Sequence, residues 1–142
     1  MTRALVLMFD SLGIGSSADA IDFDDVGADT FGHIAEAAAV GAADGGGIRA
    51  GSLQIPNLAS LGLAHAASES RGTWPADIPK QTPRGAWGYG VEKSAGKDTP
   101  SGHWEMAGVP VLFEWGYFPR QCPCFPDELM KDLVIQAKLP GL

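Results

Sequence analysis

Two short stretches carry the residue types that metal and phosphoryl chemistry require. In Asp10-Ser11-Leu12-Gly13-Ile14-Gly15 a carboxylate directly follows the apolar run Ala4 to Phe9. Ligands of open α/β sheets gather at the carboxyl ends of strands, and an oxygen donor placed there suits a hard divalent cation. Asp10 is therefore a candidate metal ligand; the alternative is that it caps the turn containing Ser11 and Gly13. The second stretch is Lys97-Asp98-Thr99-Pro100-Ser101-Gly102-His103. Pro is favoured at the first helical position, so the spacing predicts a helix start with Thr99 as N-cap, its hydroxyl over unpaired backbone N–H groups. Those N–H groups and the helix dipole attract anions, and Lys97, Ser101 and His103 add a cation and donors. The alternative here is an ordinary Thr cap in a polar turn. A Thr hydroxyl becomes an effective nucleophile once a metal or base takes its proton, so the two stretches join in one reading: Asp10 ligates a metal that activates Thr99.

Several elements would have to position these groups. Ala4 to Phe9 reads as a buried strand of a parallel sheet. Gly85 to Glu92 alternates small and large residues and reads as a second strand. Val109 to Phe113 is a third candidate, which Pro110 pushes to an edge or a loop. Thr30 to Val40 has good helix formers behind a Thr30 or Asp29 cap and stops at Gly41. Pro56 to Leu63 makes a short helix. Phe125 to Ala137 is an amphipathic helix with Pro126 at N1, acids in its first turn and Leu129, Leu133 and Ala137 on one stripe. The Asp-rich stretch Ser16 to Asp29 is a solvated loop or a frayed short helix. Gly and Pro make Ala42 to Ser52 and Trp74 to Arg84 loops. The four Trp, at 74, 87, 104 and 115, read as core or interdomain packing, and His33 as a surface or satisfied core histidine. The class is α/β with a mostly parallel core. Two or three strands and three helices are a thin supply for such a core, so the sheet is expected to be incomplete.

Composition bounds the function. The chain has 142 residues, 45% of them apolar and 19% charged, a mixture proper to a soluble folded domain. A net charge of -7 disfavours nucleic acid as a partner, since a phosphate-backbone binder needs a basic face. The two cysteines, Cys122 and Cys124, are too few for a disulfide framework and one residue too close for the usual CxxC spacing, which fits a reducing compartment. No cleavage-site pattern follows the N-terminal apolar run, and no segment reaches the roughly 20 apolar residues that span a bilayer. The expectation is a cytoplasmic protein with no membrane partner.

The runs Asp10 to Gly15, Asp25 to Ile34 and Gly96 to Pro110 closely resemble the N-terminal part of the bacterial phosphopentomutase family, and the resemblance continues through Leu112 to Phe118 and Leu139 to Gly141. That family is one of the alkaline-phosphatase-like metalloenzymes, together with cofactor-independent phosphoglycerate mutase. The resemblance implies that Met1 to Gly108 belong to the metal-binding catalytic core and that Val109 to Leu142 begin an inserted cap domain. It implies interconversion of ribose or deoxyribose 1-phosphate and the 5-phosphate, a phosphorylated pentose as partner, and two manganese ions (Mn2+). Thr99 would be the phosphorylated residue and, with Asp10, a metal ligand; Lys97, Ser101 and His103 would be weaker phosphate contacts. The family's remaining Asp and His ligands would follow Leu142. His33, His65 and His103 offer no Asp-His pair or HxxxH arrangement to replace them, so this chain alone is expected to be inactive. The other readings are a related phosphatase or phosphoglycerate mutase, or a non-catalytic remnant.

Overall fold

The computed structural model describes residues 3–114 and 116–140. They divide into two compact units between Glu92 and Lys93. The first unit holds a 3-10 turn, Ala20–Phe23, and three helices: α1 Thr30–Ala39, α2 Pro56–Leu61 and α3 Leu63–Arg71. The second holds α4 Thr99–Met106 and α5 Asp127–Gln136.

Helix α1 starts where its sequence says it should. Asp29 is the N-cap, and its side chain accepts a hydrogen bond from the Gly32 N–H. Alanines let α1 pack closely: Ala35 and Ala38 are buried together with Phe31. Helices α2 and α3 are parted by Gly62, whose φ of +105° no side chain adopts comfortably. A Cβ at Gly62 would also lie 2.6 Å from the Trp87 Cβ, so the backbone there serves as the seat of Trp87. Helix α3, missing from the sequence-based expectations, ends at Gly72 in the left-handed region.

The core of the first unit is small. Ala59, Ala64 and Ile78 are buried, with Leu53, Ile55 and Trp74 packed against them. The Trp74 indole N–H donates to the Ile78 carbonyl at 2.7 Å, and the His65 ring meets Trp74 edge-on at 5.0 Å and lies tilted 5.4 Å from Trp87. In the second unit the buried points are Ser94, Gly96, Ser101 and Val111.

The expected parallel sheet is absent from the described residues, whose β pairing is the isolated antiparallel bridge Gly45–Arg49. Ala4 to Phe9, Gly85 to Glu92 and Val109 to Phe113 are all extended or irregular there. A period-two or continuous apolar pattern shows that a segment suits a strand; the strand itself also needs a partner for its N–H and C=O groups. The expected burial fails with it, since Leu5, Val6 and Leu7 are 89%, 86% and 87% exposed. The tryptophans are less buried than a core reading expects: Trp104 is exposed, Trp87 is 45% exposed though seated on Gly62 and His65, Trp74 is half-buried, and Trp115 lies outside the described residues. Helix α5 forms as expected, with Pro126 as its N-cap rather than its first residue, and it buries no side chain. No helix among the described residues is long and apolar enough to cross a membrane.

Candidate functional site

In the first unit Asp10 is exposed in a turn at the end of the Ala4 to Phe9 run. The loop that follows is anchored at two places. The Phe31 N–H donates to the Gly13 carbonyl at 3.0 Å, and the Gly15 N–H donates to Asp29 Oδ1 at 3.0 Å. Asp29, besides capping α1, accepts from Nε of Arg71 at the end of α3, and Arg71 Nη2 reaches Glu36 Oε1 at 2.6 Å. Glu36 first, and Asp29 with it, hold the Arg71 guanidinium above its already high ordinary value. Gly32 must be glycine for this arrangement, because a Cβ there would collide with the Asp29 carboxylate and lie 2.6 Å from the Arg71 guanidinium. One buried carboxylate thus fastens the Gly13 to Gly15 loop to two helices.

In the second unit Thr99 is the exposed first residue of α4. The cap is Asp98, not Thr99: Asp98 Oδ1 accepts from the Ser101 N–H at 2.9 Å, and the Ser101 hydroxyl donates to Oδ2 at 2.8 Å. Pro is tolerated throughout a first turn, whose N–H groups have no intrahelical partner, so Pro100 does not by itself place the cap at Thr99. Pro100 has no N–H, that of Ser101 goes to the Asp98 side chain, and that of Gly102 goes to the Asp98 carbonyl at 3.1 Å. Ser101 is fully buried as a cap partner. His103 Nδ1–H donates to the Thr99 carbonyl at 2.8 Å, and Lys97 Nζ donates to the Ser94 carbonyl at 3.4 Å. The turn therefore brings Lys97, Thr99, Ser101 and His103 together, with Asp10 in the other unit.

Sequence reasoning did not single out Glu105. Its carboxylate accepts from the Lys93 N–H at 2.8 Å, the Ser94 N–H at 2.8 Å and the Ser94 hydroxyl at 2.6 Å. The Ser94 hydroxyl, followed by the Lys93 N–H, holds Glu105 below the ordinary carboxylate value. No spacing rule marks a carboxylate that bonds to a loop eleven residues before it in sequence; the signal for Asp98 was available in the Asp-x-x-Ser pattern of a side-chain cap.

The comparisons with known proteins cover this chain almost from end to end. It is 58% identical to the phosphopentomutase of Tolumonas auensis over 99% of its own length and 34% of that protein's. It is 56% identical to the phosphopentomutases of Legionella pneumophila and Pectobacterium atrosepticum, again over 99% of the chain. Its relatives are phosphopentomutases. The chain spans about a third of the length of the relatives it matches, 34% to 35%. No family model and no solved structure matches it. Both candidate stretches, the Asp10 loop and the Thr99 turn, lie within the part matched to the phosphopentomutases.

The metal that the phosphopentomutase resemblance implies does not fit the described residues alone. Among them no group of three or more His, Cys, Asp and Glu side chains comes together. A divalent manganese ion takes about six ligands, mostly oxygen, and one carboxylate such as that of Asp10 supplies at most two of them.

Proposed function

We propose that this chain forms the phosphoacceptor-bearing part of a phosphopentomutase that interconverts (deoxy)ribose 1-phosphate and (deoxy)ribose 5-phosphate, and that it has no turnover by itself. The observation that carries this reading is the 56–58% identity to phosphopentomutases over 99% of the chain, at about a third of their length. Met1 to Gly108 are read as a contribution to the catalytic core and Val109 to Leu142 as the start of the cap. The Ala4 to Phe9 run then takes its place as a strand of an alkaline-phosphatase-like sheet when partner strands are supplied.

Thr99 is the residue phosphorylated in the active form. Its position at the exposed start of α4 supports this, since the cap there is supplied by Asp98 and not by Thr99. Asp98 holds the turn through Ser101, and Ser101 accordingly acts on the phosphoacceptor through the cap. Lys97 supplies a cation to the phosphate, and His103 holds the Thr99 carbonyl with Nδ1. Asp10 contributes one carboxylate to the divalent metal, with the other ligands coming from outside the residues described. The metals, when bound, would offset the charge on the transferring phosphoryl group.

The test is a hybrid in which this chain replaces the matched third of the Tolumonas auensis phosphopentomutase. With manganese, the hybrid is expected to interconvert pentose 1- and 5-phosphates and to carry phosphate on Thr99 by mass spectrometry. T99A abolishes both, and D10N lowers turnover by at least about a hundredfold. An inert hybrid that folds and binds manganese would refute the reading and leave a remnant; hydrolysis of the pentose phosphate without interconversion would point to a phosphatase.

A further inference from the structure

We propose that Glu105 is a positioning residue for the Thr99 hydroxyl, acting by tying the segment that enters α4 back onto α4 itself. This rests on the reading of Thr99 as phosphoacceptor. Glu105 stands six residues after Thr99 on the same helix. Its carboxylate binds the Lys93 and Ser94 N–H groups and the Ser94 hydroxyl. Ser94 is 2% exposed, and its oxygen accepts in turn from the Val111 N–H at 3.0 Å. Beside that bond the Ala95 N–H donates to the Val111 carbonyl at 2.7 Å. The chain entering α4 and the chain leaving it are therefore joined through one carboxylate and one hydroxyl.

The geometry excludes two simpler roles. A carboxylate with about four acceptor sites that receives three donors from the fold is not placed to take a proton from a substrate. A surface carboxylate that only aids solubility would face water instead of satisfying a buried serine. The Asp98 cap fixes the first turn of α4 relative to Asp98 alone; Glu105 fixes where the strand of chain leading to Asp98 lies. Thr99 sits between these two restraints, and reacting groups displaced by about 1 Å can lose two orders of magnitude in rate.

The experiment compares E105Q and S94A in the hybrid enzyme. The Gln side chain keeps the volume but turns N–H donors toward donors, and S94A removes the hydroxyl link while leaving Glu105 its two backbone bonds. E105Q is expected to lower kcat by about ten- to a hundredfold while KM for the pentose phosphate changes by less than about threefold, and S94A to fall between E105Q and wild type. In the 142-residue chain, 15N NMR should show the Asp98 and Thr99 amide signals moving in E105Q along with those of Lys93 and Ser94. A kcat for E105Q within about twofold of wild type overturns the proposal. An inert wild-type hybrid would count against the phosphoacceptor reading instead, and the NMR comparison would then decide: unmoved Asp98 and Thr99 signals overturn the positioning role, and moved ones support it. If E105Q fails to fold, S94A supplies the same two measurements, with unchanged kcat and unmoved Thr99 overturning the proposal.

Discussion

At Thr99 the labour of the turn is divided: Asp98 caps, Ser101 completes the cap and Thr99 is left exposed. A threonine that had to cap its own helix would have its hydroxyl engaged by the backbone. Replacing Asp98 by Ala should therefore destabilise the second unit by about 1 kcal/mol, the usual worth of a side-chain cap, as measured by chemical denaturation. Asp29 carries more, because it is buried and satisfies two backbone N–H groups and Arg71. D29A should cost about 3 kcal/mol, since it leaves the largely buried Arg71 guanidinium short of a partner; a loss below about 1 kcal/mol in urea denaturation would show that the network is slack. Glu105 gives a pH signature. Its value in the folded chain lies below the ordinary 4.5, so its stabilising effect is complete above that pH and is lost as the pH falls through the lowered value. Wild type is expected to lose stability on acidification below about pH 4.5 more steeply than E105Q, read from denaturant midpoints across that window.

Elements differ in how far a local pattern can decide them. Helices α1 and α5 satisfy their own backbone hydrogen bonds, so caps, alanines and periodicity suffice to mark them. Helix α3 was harder to see, because it begins directly behind a glycine that ends α2. G62A tests that junction. It forces a side chain into a φ of +105° and against Trp87, and should destabilise the first unit by about 1–3 kcal/mol with loss of helical circular dichroism. The three strand-like segments depend on neighbouring strands for their ladder bonds, and among the described residues the β pairing is the Gly45–Arg49 bridge, which lies outside all three.

For the molecule as a whole, the chief physical fact is unburied apolar surface. Leu5, Val6 and Leu7 are almost wholly exposed, and burying such side chains is worth roughly 1.5–3 kcal/mol each. A contiguous apolar run of this kind is what a sheet would cover. The isolated chain should accordingly bind a hydrophobic dye such as ANS, and L5K/L7K should reduce that binding without altering the helical circular dichroism signal. Unchanged dye binding would place the apolar surface elsewhere. Turnover follows the same logic: the chain alone with manganese should show none, and the hybrid should show it.

The residues by themselves pointed to a kind of chemistry, since a carboxylate after an apolar run and a threonine in a Lys-Asp-Thr-Pro-Ser turn are legible without any structure. They also determined α1 and α5, whose stabilising contacts are three or four residues away. Only the tertiary structure decided that Asp98 rather than Thr99 caps α4, that Asp29 ties the Asp10 loop to two helices, and that Glu105 holds the approach to Thr99. Each of those bonds joins groups whose meeting is a matter of how the chain bends between them. A residue type states what it can bond, and only the path of the backbone states which partner is within reach.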